Sequence, residues 1–132
     1  MKSAFSLLEL IFAIVILGIV ASVAVPKYLD TKDSALISTI KRDISTTVSS
    51  IQSYYLLNQK IEKIDDAITL NDLNWTVEDT KITDKNSCLS LEIKTSEDDV
   101  KTIELEVDDT KNSNICVKIK NSGLESSSYP LY

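Results

Sequence analysis

A chain of 132 residues is sized for one domain, and 20 acidic against 14 basic residues give it a net charge of −6 with no histidine. That balance lacks the basic footprint of general nucleic-acid binding. Without histidine, no His-based acid–base or nucleophilic constellation can be built. The only glycines are Gly18 and Gly123, so there is no Gly-rich phosphate loop. An enzyme is not expected, and no cofactor is implied.

Hydrophobic residues make up 43% of the chain but are unevenly spread. From Leu10 to Val25 no residue is charged, whereas from Pro26 onward 13 Lys and Arg face 19 Asp and Glu. A greasy head therefore precedes an acidic, solvated body. Phe5 to Val25 is 21 residues, enough for a helix to cross about 30 Å of hydrocarbon. It is apolar on every side except at Glu9.

Three readings compete for this segment. A secretory signal peptide could use Lys2 as its positive region and Ser22-Val23-Ala24 as small residues before a cut at Val25. Glu9 and the length of the apolar run, beyond the usual 7–15 residues, oppose it. A plain transmembrane anchor leaves Glu9 unexplained, because a carboxylate near a membrane helix centre costs about 2.5–3.5 kcal/mol on insertion scales. In the third, the chain is cut between Ala4 and Phe5. The new amine of Phe5 and the carboxylate of Glu9 then lie about one helical turn apart and can pair, within one chain or between neighbours.

The order Phe5-Ser6-Leu7-Leu8-Glu9, behind a short leader and ahead of an apolar helix ending at Pro26, resembles the N-terminal signature of type IV pilins and type II secretion pseudopilins. The likeness covers about Met1 to Asp30. It implies a leader of residues 1–4, cleavage between Ala4 and Phe5 by a prepilin peptidase, and methylation of the Phe5 amine. It also implies that Glu9 mediates assembly by facing the amine of an adjacent subunit. Gly18 and Pro26 match positions where the family's helix loosens or bends. The residue before the cut is usually Gly in the family and is Ala4 here. Further implied are an inner-membrane subunit with its C-terminal domain in the periplasm, an assembly ATPase and platform protein, and a helical filament of like subunits. Pilus, secretion pseudopilus and DNA-uptake fibre all fit. The rival from another class is a periplasmic or membrane-anchored binding module with an ordinary signal peptide.

Beyond Pro26, Ile37, Ile40, Ile44, Val48, Ile51 and Tyr55 recur at steps of three and four, one face of a helix. Their default role is packing on the chain's own globular part. A helix from Phe5 to about Asn58 would span about 80 Å, half membrane or filament core and half spine of a domain covering 26–132. A short helix near Glu62–Ile68 and a connector follow, with Trp75 as a core plug. The period then changes to two. CLSLEIK (88–94), VKTIELEV (100–107) and ICVKIK (115–120) read as three strands of an antiparallel sheet spanning about 88–120, so the fold class is α+β and pilin-like.

Cys88 and Cys116 read as two buried thiols in a cytosolic chain and as one disulfide in an exported one. In a three-strand meander their strand starts would be about 9.5 Å apart, beyond bridging distance. A bridge therefore needs strand three beside strand one, or a cysteine outside the ladder. Exposure to an oxidising compartment favours the bridge. The turn at 108–114 alternates oxygen-bearing side chains, so Asp108, Asp109, Asn112 and Asn114 are the candidate calcium ligands. It lacks the central Gly and terminal Glu of a calcium loop, and an ordinary Asx-rich turn is the simpler reading.

Overall fold

The computed structural model describes residues 4–131, apart from the side chains of 25–30. The described residues form two compact units that divide between Ala35 and Leu36. Helix α1 (Leu7–Asn58) contributes to both. The rest of the chain is a 3₁₀ turn at Ile64–Asp66, strands β1 (Trp75–Val77), β2 (Lys81–Asp84), β3 (Leu89–Thr95) and β4 (Lys101–Val107), helix α2 (Asn114–Asn121), and strand β5 (Ser127–Pro130). The arrangement is α+β and pilin-like, with a long apolar N-terminal helix and a five-stranded antiparallel sheet.

In the first unit every described side chain from Ala4 to Ala24 is exposed. The bend expected at Pro26 lies outside the residues whose side chains are described.

In the second unit, α1 buries the expected stripe. Ile40, Ile44, Val48 and Ile51 are buried, and Ile37 and Tyr55 pack partly against the same core. Lys41, Arg42, Ser45, Thr46 and Ser49 stay exposed on the other faces. The helix stops where Gln59 adopts a left-handed conformation at φ 57° and its N–H bonds the Tyr55 carbonyl at 2.7 Å. The helix expected near Glu62–Ile68 shrinks to one 3₁₀ turn, because the Asp66 carboxylate takes the Lys63 N–H at 3.1 Å and closes the backbone locally.

The strands run in the order β1-β2-β3-β4-β5, each antiparallel to the next. Alternation sends Leu89, Leu91 and Ile93 of β3 and Ile103, Leu105 and Val107 of β4 into the core with the α1 stripe. Trp75 on β1 is 1% exposed, and its indole N–H donates to the Asp43 carboxylate of α1 at 2.9 Å. At the β2–β3 turn the buried Asp84 carboxylate accepts the N–H groups of Leu89 (2.9 Å) and Asn86 (3.2 Å).

The third strand expected at 115–120 is instead α2. Ser113 caps it, its hydroxyl accepting the Cys116 N–H at 3.4 Å. Cys116 and Ile119, three apart, are buried, while Val117 is 39% exposed. Six residues carrying Ile115, Val117 and Ile119 satisfy both periods, and the cap decides for the helix. Gly123, at φ 96°, follows the helix in a conformation suited to glycine. The sheet thus spans 75–130 rather than 88–120, gaining the short β1 and β2 before it and β5 after α2.

Thr47 is fully buried on α1, and its hydroxyl has no hydrogen-bond partner among the described residues. Burying an unpaired hydroxyl costs about 1–3 kcal/mol. Thr47→Val should therefore raise stability by about 1 kcal/mol. Asp84→Ala, which orphans the buried Leu89 N–H and removes the acceptor of the more exposed Asn86 N–H, should lower it by about 1–3 kcal/mol. Denaturant unfolding of the detergent-solubilised chain measures both, and a destabilising Thr47→Val would show that the hydroxyl is satisfied.

Candidate functional site

The N-terminal segment is built around the start of α1. Ser6 stands just before the helix, and its hydroxyl accepts the Glu9 backbone N–H at 3.2 Å, while its carbonyl accepts the Leu10 N–H at 3.1 Å. Ser6-x-x-Glu9 is thus the spacing of a capping box, with Ser6 satisfying one of the donors a helix start leaves open. Glu9 falls in the first helical turn, where the helix dipole favours a negative charge. Its carboxylate makes no ion pair or hydrogen bond among the described residues. A reading centred on Glu9 alone misses Ser6, although the Ser-x-x-Glu spacing signals it.

Phe5 is 80% exposed and joins a continuous apolar surface. Leu7–Ala24 is long and apolar enough to cross a membrane. Leu8, Ile11, Phe12, Val15, Ile19 and Val23 are all about half exposed or more, so no side of the helix is covered. A surface of this extent needs lipid or other apolar helices around it. Gly18 lies within α1, and a Cβ there would meet nothing within 4 Å.

The other candidates lie in the second unit. Cys88 and Cys116 are disulfide-bonded with a Cα–Cα distance of 5.1 Å. The ladder distance that separates strand starts does not apply, because Cys88 immediately precedes β3 and Cys116 belongs to α2. The 28-residue separation corresponds to about 3.6 kcal/mol of stabilisation in the loop-entropy model.

In the turn after β4, Asp108 Oδ1 accepts both the backbone N–H of Thr110 (2.9 Å) and its hydroxyl (2.6 Å). This is an Asx turn, the local bonding that Asp favours. Asp109 contributes its carbonyl to Lys120 Nζ at 2.9 Å. Asn112 is exposed, and Asn114 opens α2. Among the described residues no three His, Cys, Asp or Glu side chains gather to hold a metal ion.

A capped apolar helix and a domain of one helix stripe and one small sheet make up a pilin-like arrangement. Residues 1–25 match the family of the prokaryotic N-terminal methylation motif. The chain carries the prepilin signature of type IV pilins and pseudopilins. No curated protein and no solved structure matches the chain. The motif supports a pilin-like or pseudopilin subunit processed by a prepilin peptidase, and such subunits are structural rather than enzymatic. Motif and apolar helix together fit membrane anchoring.

Bonding from the Thr110 hydroxyl, then from its backbone N–H, holds the Asp108 carboxyl below the ordinary value near 3.8, with Lys111 and Lys120 acting in the same direction. A carboxyl lowered on folding stabilises above its unfolded value and loses that contribution as pH falls through the folded value. Thr110→Val should raise the Asp108 pKa toward 3.8 in an NMR titration. An unmoved titration would mean that the backbone N–H of residue 110 and the lysines, not the threonine hydroxyl, set it.

Proposed function

We propose that this chain is a structural subunit of a type IV pilus or type II secretion filament. It enters the inner membrane through residues 5–25, with the acidic domain of 26–132 in the periplasm. A prepilin peptidase removes residues 1–4 and methylates the Phe5 amine. An assembly ATPase and platform protein then move the subunit from the bilayer into a helical filament of like subunits. The match of residues 1–25 to the methylation motif carries this reading.

Two further features support it. The apolar surface of α1 up to Ala24 is exposed on every side, as a segment exchanging lipid for neighbouring helices requires. Glu9 lacks a partner within the chain among the described residues. Its carboxylate is therefore open to the amine of an adjacent subunit, and pairing there would offset the cost of placing a charge in an apolar surround. The disulfide between Cys88 and Cys116 suits an oxidising compartment.

The mass of the mature N-terminus tests the processing. A chain starting at methylated Phe5 is expected, whereas a start at Val25 would favour the rival binding module with an ordinary signal peptide. Glu9→Ala should leave membrane insertion intact and reduce incorporation into filaments, read by the ratio of filament-bound to membrane-bound subunit. Unchanged incorporation would remove Glu9 from assembly.

A further inference from the structure

Of the seven asparagines, only Asn74 stands in an Asn-x-Thr sequence, as Asn74-Trp75-Thr76. This is the acceptor pattern for N-linked glycosylation when the middle residue is not proline. An acidic residue, Asp72, lies two positions before the asparagine. The full stretch is Asp72-Leu73-Asn74-Trp75-Thr76, with no proline at either variable position.

The fold presents this stretch at the surface. Asn71 through Asn74 form the turn that enters β1, held by the Asn74 and Trp75 N–H groups on the Asn71 carbonyl at 3.2 and 3.1 Å. Asp72, Leu73 and Thr76 are exposed and Asn74 is half-buried. The Asn74 carboxamide makes no hydrogen bond to the protein among the described residues, and neither of its polar atoms is buried without a partner. It therefore faces solvent. Within β1, alternation puts the Thr76 side chain on the side opposite the buried Trp75, and Asn74 lies in the turn immediately before the strand. β1 ends the sheet and pairs only with β2, so its outer edge carries no further strand.

We propose that Asn74 is an N-glycosylation site, which rests on the periplasmic placement of the domain in the reading above. The donor class is an oligosaccharide carried on a polyprenyl pyrophosphate, and the partner is a membrane transferase that reads the Thr76 hydroxyl and the Asp72 charge. In the reaction the Asn74 Nδ2 forms a bond to the anomeric carbon of the first sugar. The bond from that carbon to the pyrophosphate oxygen breaks, polyprenyl pyrophosphate leaves, and one Nδ2 proton passes to a base of the transferase. No oxidant or reductant is consumed. Because Trp75 is 1% exposed, a transferase that grips residues 72–76 can do so only before the indole docks in the core. Modification thus precedes the closing of β1. The finished fold accommodates the glycan, which then covers the open edge of the sheet and blocks edge-to-edge pairing.

The test is co-expression of the full chain with a periplasm-facing N-oligosaccharyltransferase and its polyprenyl-linked oligosaccharide, followed by intact and peptide mass spectrometry. The expected result is one added oligosaccharide on the peptide containing Asn74. It should be lost in Asn74→Gln and Thr76→Val, kept in Thr76→Ser, and lowered in Asp72→Ala. Non-reducing electrophoresis of the same sample reads whether Cys88 and Cys116 are oxidised. An oxidised chain with bare Asn74 overturns the glycan and leaves the exported domain standing. A reduced chain with bare Asn74 overturns both.

Discussion

A helix that is apolar on every side has no favourable home in water, and this constraint governs α1 up to Ala24. At about 25 cal/mol per Å² of apolar surface, the thirteen large aliphatic and aromatic residues exposed between Phe5 and Val23 form a large penalty that only lipid or other apolar helices can remove. From Ile37 onward the same helix meets a different demand. Its apolar residues narrow to a stripe at helical spacing, and polar residues occupy the remaining faces. One unbroken element thus changes solvent along its sequence, and the change is written in which positions are apolar rather than in any change of secondary structure.

The core of the second unit depends on that stripe being completed by the sheet. Ile40, Ile44, Val48 and Ile51 belong to one buried cluster with β3 and β4 residues, Trp75 and Ile119. Polar groups that enter the cluster are mostly answered. Asp43 takes the Trp75 indole N–H, and Asp84 takes two backbone N–H groups at the turn before β3. The disulfide ties α2 to the start of β3, which matters because α2 has only eight residues and is too short to persist without tertiary support. Thr47 is the exception, and an unpaired hydroxyl in an otherwise satisfied core marks a place where packing has overruled polarity.

The sequence made some of this legible and hid the rest for physical reasons. The α1 stripe was readable because five consecutive steps of three or four leave no competing period. The β3 and β4 strands were readable because each alternates over seven residues. The 115–120 segment was not, since six residues fit both periods and only Ser113 before it and Gly123 after it distinguish a capped helix. Strands β1, β2 and β5 have three or four residues each, and their pairing is decided by longer neighbours rather than by their own pattern. At the N-terminus Glu9 stood out as the lone charge, while Ser6 did not. A hydroxyl is unremarkable until the helix start it caps is known.

That cap gives Glu9 a double setting. A helix start already carries partial positive charge from its open N–H groups, and Ser6 answers only one of them. A cut after Ala4 adds a full positive charge one residue ahead of the cap, and a methylated amine keeps that charge. Both favour a carboxylate in the first turn, where Glu9 lies. Removing Glu9 would take away the one acidic side chain that the first turn sets against those open N–H groups.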